Sequence, residues 1–286
     1  MNTILIMKKI LMVLMGFVGL IGFVGCDKIE EGEYTIYDGA AVTWMSGSFS
    51  EEPVQRVYVE KYTGPKCSNC PLADSTLGSI HNERVVMVSI NHPTGQGVPF
   101  PNEPDLRTEG GSTWAKYYGI NAIPSAFINR DKSKQYQGRM SEIVGAINEA
   151  LSVSPTVGME MFASQVEGEV YVYVQLKFVK SHTDPVTLTV ALVEDSLSYK
   201  QLLPNGDIDE EYVHNHMLRK VVTGYWGTPV KCTGVVGEAL DGSLNFSVDE
   251  GVNLANSHIV AFISDKETRK VLNCASCKIS IDEGDE

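Results

Sequence analysis

Positive charge is what this chain has least of. Its 286 residues carry 23 Lys and Arg against 36 Asp and Glu, a formal net charge of −13. Nothing in it could form the basic surface that follows a phosphate backbone or grips anionic lipid, which argues against nucleic acid as a partner. Internal repeats and low-complexity tracts are absent too, so no repeat architecture is indicated. Disorder is excluded by the 43% of hydrophobic residues, and the length suffices for two domains with cores of their own.

What is present begins at the N-terminus. Lys8 and Lys9 precede an almost uncharged apolar run from Ile10 to Val24 that ends "FVGC". A basic segment followed by an apolar run of this length reads as a secretory signal rather than a membrane span. Gly25 directly before Cys26 fits a lipoprotein signal-peptidase box. Residues 1–25 are therefore expected to be removed, leaving Cys26 as the lipidated first residue and the membrane as a partner through the lipid. The acidic "CDKIEEGE" opens a tether and lead-in over 26–55, and resembles a surface-export signal.

Two segments of different periodicity follow. Over 56–152 strand and helix patterns alternate: "RVYVEKY", a helical spacing at Ala73, Leu77 and Ile80, the apolar "VVMVSI", a helix capped by Ser112, "SAFIN", and an amphipathic helix with Ile143, Ile147 and Leu151. That order implies a small α/β domain. Beyond "LSVSPTVG" the pattern changes to short alternating strands such as "EVYVYVQLKF" and "VTLTVALV". Residues 155–286 are thus expected to form an all-β, Ig-like sandwich.

The chemistry centres on "GPKCSNCP". The Cys67–Cys70 pair could be a redox centre, a structural staple or half of a metal site. At a helix start, unpaired N–H groups stabilise a thiolate on Cys67, and Lys66 adds positive charge. Cys67 would then attack and Cys70 resolve a mixed disulfide. The long loop 91–112 carries His92 and Arg107, expected to be merely solvated.

"VYVEKYTGPKCSNC" together with "AKYYGINAIPSAFINR" resembles the thioredoxin fold, and the resemblance implies a cis Pro124 beside the cysteines. It further implies that Ile123 offers its backbone to a substrate strand and that Glu60 is a buried carboxylate serving the resolving thiol. Over its length, with "YVHNHMLRKVV" and "GYWG" in the second half, the chain is similar to the Bacteroidetes twenty-eight-kilodalton outer-membrane-protein family. This implies an outer-membrane lipoprotein, and the form of its tether points to exposure at the surface.

In the second segment, "HNH" spaces His214 and His216 as metal ligands on a strand would be, yet no third ligand follows at a clear spacing, so no metal is assigned. Cys274 and Cys277 point to opposite faces of a strand, and Cys232 is expected to bridge one of them. The functional expectation is an envelope thiol–disulfide oxidoreductase without cofactor, acting on exported proteins through mixed disulfides. The alternative is a non-catalytic outer-membrane binding module or adhesin in which the CxxC is a staple.

Overall fold

Every residue of the run Val57–Thr63 is buried, including Glu60 and Lys61, so this strand must be covered on both faces. The computed structural model describes residues 39–138 and 140–281 and shows what covers it. In chain order the first segment holds β1 (Thr43–Ser46), β2 (Val57–Thr63), α1 (Cys70–Gly78), β3 (Val85–Asn91), α2 (Glu109–Tyr117), β4 (Ser125–Ile128), β5 (Gln135–Gln137) and α3 (Met140–Leu151). Then come β6 (Val157–Val166), β7 (Glu169–Phe178), β8 (Val186–Glu194), β9 (Leu197–Leu202) and β10 (Ile208–His214). The chain continues through β11 (Met217–Val221), β12 (Thr228–Pro229), β13 (Ala239–Ser247), β14 (Ser257–Asp265) and β15 (Val271–Ile281).

Thirteen of these strands form one sheet, in the order β1-β13-β7-β6-β15-β14-β8-β11-β3-β2-β4-β5, with β12 beside β8. Strands β9 and β10 pair separately as a hairpin. The long β15 runs antiparallel to β14 over most of its length and parallel to β6 at Ile279–Ile281. The sheet therefore folds over along β15, and the inward Val170, Val172, Val174 and Leu176 of β7 meet Leu188, Val190 and Leu192 of β8 in one apolar core.

This continuous sheet overturns the expected fold class, an α/β thioredoxin-like domain followed by a separate Ig-like sandwich. Strand β11 of the second segment pairs in parallel with β3 of the first, at Met217 opposite Ser89. A second core joins the two segments: the Phe262 ring lies 4.5 Å from that of Tyr58 and 6.4 Å from that of Trp114. Trp114 also donates its indole N–H to the Tyr225 carbonyl at 2.7 Å. Burying a side chain of this size contributes roughly 2–3 kcal/mol, so each segment stabilises the other.

The misreading has a physical cause. "VTLTVALV" alternates as a half-exposed strand does, yet all nine residues of β8 are buried, the threonines included. An alternating pattern says which side chains share a face but not what covers the other face.

The outer side of β2–β4 has a separate core, where Val57, Val59 and Ile128 pack under α1 and α3 through Ala73, Leu77, Ile143 and Ile147. Helix starts also move. Thr108, not Ser112, caps α2: its hydroxyl accepts from Gly111 N at 3.0 Å, while Ser112 lies inside the helix and donates to the Thr108 carbonyl. No helix among the described residues is long and apolar enough to cross a membrane.

Candidate functional site

Strand β2 ends at Thr63, and the next residue has no room for a side chain. A Cβ on Gly64 would stand 2.4 Å from the Gln96 carbonyl oxygen, so glycine lets the 95–97 turn close over the segment. Lys66 N then donates to that same carbonyl at 3.0 Å, and Cys67 N to the Gly64 carbonyl. Helix α1 begins at Cys70, with Asn69 at the cap and Pro71 in the first turn. Cys67 thus precedes the helix rather than opening it, and its carbonyl accepts from Cys70 N at 3.1 Å.

Cys67 and Cys70 are joined in a disulfide with Cα atoms 5.4 Å apart. Each is 1% exposed. The cover comes from the far half of the chain. Gln201 of β9, itself 1% exposed, donates its side-chain amide to the Cys67 carbonyl at 3.0 Å. Leu202 N donates to the Pro65 carbonyl at 2.8 Å. Lys66 turns away over the Phe100 ring, 5.4 Å from its centroid.

The Ile123–Pro124 bond is cis, as the resemblance implies. Both residues border a cleft with Asn69, Leu72, Ala73 and Thr76. Glu60 is fully buried, also as implied, but its carboxylate is committed elsewhere. One oxygen accepts from Arg130 Nε at 2.7 Å and from the Tyr58 hydroxyl at 2.9 Å, and the other accepts from the Tyr62 hydroxyl. Arg130 is buried as well and lies against the Trp114 ring, 4.0 Å from its centroid. Burial and the Glu60 charge push both tyrosine hydroxyls far above their ordinary range, so both phenols stay neutral. The hydrogen-bonding capacity of the Glu60 carboxylate is thus taken up by Arg130, Tyr58 and Tyr62.

His92 and Arg107 are structural parts of their loop rather than solvated groups. The His92 ring nitrogens lie within 3.0 Å of the Thr94 and Ile120 carbonyls, and Arg107 holds Asp105 and the Pro93 carbonyl. The "HNH" pair is split. His214 is buried and its ring sits 5.0 Å from that of Tyr212, whereas His216 turns toward Asp195 and His258. Burial pushes His216 below the usual imidazole range. Burial also pushes the Asp195 carboxyl up, but the His258 ring and the His216 N–H outweigh it and hold the group low.

Cys232, Cys274 and Cys277 are all unpaired, contrary to the expected second disulfide. Cys274 faces the core shared with Tyr58 and Trp114, while Cys277 and Cys232 pack on the opposite side of the sheet. Cys274 therefore cannot reach either of them. Cys26 lies outside the described residues. Sequence reading passed over Gln201 and the Asp195–His258 contact, since no motif or fixed spacing ties these residues to their partners.

Residues 111–283 match the family described as "Outer membrane protein Omp28". No curated protein matches the chain. Among solved structures, HBP35 of Porphyromonas gingivalis is similar with a TM-score of 0.64 at 13% identity, covering 83% of this chain and 80% of that one, which is a likeness of fold. A domain of the outer membrane lipoprotein Omp28 from Porphyromonas gingivalis is 23% identical with a TM-score of 0.33, covering 44% of this chain and 90% of that one.

Proposed function

The chain belongs to the Omp28 family of outer membrane proteins, and on that premise we propose that it works as a non-catalytic binding module whose Cys67–Cys70 disulfide is a structural staple. Membership puts it at the outer membrane. The lipid at Cys26 that would hold it there is part of the proposal.

One observation carries the reading: the disulfide is roofed by β9, with Gln201 bonded to the Cys67 carbonyl. Thiol–disulfide exchange needs a thiolate to approach along the S–S axis, and the attacked sulfur must be reachable. Here both sulfurs are enclosed, and the buried Glu60 carboxylate is spent on Arg130. A closed loop this short still stabilises the fold, by about 2 kcal/mol on chain-entropy grounds. An oxidising envelope keeps such a bond closed.

The experiment equilibrates the purified protein in glutathione buffers and follows Cys67 and Cys70 by alkylation and mass spectrometry. A staple stays oxidised throughout, Cys70→Ser collects no mixed disulfides with envelope proteins, and the Cys67→Ser/Cys70→Ser protein is less stable by about 2 kcal/mol. A disulfide that equilibrates readily with glutathione, together with partners trapped on Cys70→Ser, would overturn the reading in favour of an oxidoreductase.

A further inference from the structure

Three adjacent strands of the sheet deliver two imidazoles and a carboxylate to one point. Glu194, the last residue of β8, lies opposite Met217 of β11 on one side and Ser257 of β14 on the other. Asp195 follows Glu194 directly, and His216 directly precedes Met217, so these two face each other just past the end of the ladder. His258 pairs with Val193, two residues before Asp195, and therefore shares its face of the sheet.

The side chains converge. Nδ1 of His216 is 3.2 Å from one Asp195 carboxylate oxygen, and Nδ1 of His258 is 3.2 Å from the other. The rings stand 6.0 Å apart at 81°. One donor atom from each residue lies within 4.8 Å of each of the others.

The backbone beneath them is held from every side. His216 N donates to Asp195 Oδ1 at 2.6 Å, Ser196 N to Asn215 Oδ1 at 3.0 Å, Asp195 N to the Asn256 carbonyl at 2.9 Å, and Ser89 N to the His216 carbonyl at 2.6 Å. His216 sits in the left-handed region at φ 60°. The three side chains are only partly covered, so the point where they meet is open to solvent.

We propose that Asp195, His216 and His258 form a binding site for a divalent transition-metal ion of the zinc type. Ligands on such an ion stand about 2.0–2.2 Å from it, which puts tetrahedral neighbours about 3.3–3.6 Å apart, so the three donors, all within 4.8 Å of one another, need only a small closing movement to share one ion. Two imidazoles with one carboxylate suit zinc, nickel or copper. Calcium and magnesium take oxygen ligands, which two of these three donors cannot provide. Three protein ligands leave a fourth position for water or for a ligand supplied by a partner. The site is remote in sequence from the disulfide and does not depend on whether that bond is a staple.

A second group, His182 with Asp184 and Asp265, also gathers three donors. That group offers one imidazole and two carboxylates, and Asp265 there accepts from Thr268 N at 2.6 Å and the Thr268 hydroxyl at 2.7 Å. It serves as the control.

The test titrates tag-free, chelator-stripped protein with zinc chloride by isothermal calorimetry, with thermal melting as a second readout. One equivalent binds and raises the melting temperature, while calcium chloride produces neither effect. His258→Gln, Asp195→Asn and His216→Asn each weaken binding at least tenfold and abolish the thermal shift. Asparagine is chosen at 216 because it tolerates a positive φ, and circular dichroism of the metal-free variants verifies that each is folded. His182→Gln binds as the unaltered protein does. The proposal fails if no zinc binds, if the three variants bind as tightly as the parent, or if binding is lost with His182→Gln instead.

Discussion

The side-chain amide of Gln201 donates to the backbone carbonyl of Cys67 at 3.0 Å, so a hairpin from the far half of the chain closes over the CxxC segment. The same amide donates to the Leu202 carbonyl, and Leu202 N reaches Pro65. Access to the disulfide is thereby linked to opening of β9–β10.

Gln201→Ala tests that link. Removing the buried amide takes away its bonds to the Cys67 and Leu202 carbonyls at a cost of at least about 1.4 kcal/mol, which raises the locally open fraction about tenfold or more. Reduction of Cys67–Cys70 by dithiothreitol in native buffer, read by quenched alkylation, should accelerate by about that factor. An unchanged rate would mean that the hairpin does not control access.

Arg130→Met should be among the most damaging single changes. It leaves the Glu60 carboxylate buried without its guanidinium, and breaking a buried pair costs roughly 3–5 kcal/mol. Combining Arg130→Met with Glu60→Leu should cost less than the two single losses added together, because the orphaned charge is gone. Urea denaturation of the four proteins measures both statements.

The three free thiols should react in a set order. Burial pushes Cys274 far above the ordinary thiol range, and raises Cys277 to about 12. Cys232 is raised by burial and then by Glu238, but it is partly exposed. Iodoacetamide at pH 8 should label Cys232 first, Cys277 slowly, and Cys274 only on unfolding. Early labelling of Cys274 would contradict its place in the shared core.

Asp265 supplies a pH test. Burial alone would raise its carboxyl, but the two bonds from Thr268 outweigh burial and hold it below the ordinary value. A folded pKa below the unfolded one contributes stability above about pH 4, which is lost as pH falls through the folded value. Asp265→Asn should therefore be less stable by about 1 kcal/mol at pH 7, with the gap closing below about pH 4. Denaturant midpoints at the two pH values decide it.

Much of the local structure was legible because it rests on local forces. "RVYVEKY" ends as a strand at Thr63-Gly64-Pro65, and "EVYVYVQLKF" alternates and pairs as its pattern implies. The CxxC does sit at the mouth of a helix, and Ile123–Pro124 is cis. The single acidic chain, its signal-like N-terminus and its family membership can all be read from residue order alone.

What covers each face could not be read that way. Periodicity assigns side chains to faces, while the partner strand is chosen by contacts between residues far apart in the chain. Met217 joins Ser89, Phe262 packs on Tyr58, Gln201 roofs Cys67, and Asp195 gathers His216 with His258. Residue types and their local spacing determined strands, charge and the presence of a cysteine pair. Only the tertiary structure decided that the two segments share one sheet and that the pair lies buried, because both depend on burial between surfaces that have no fixed separation in sequence.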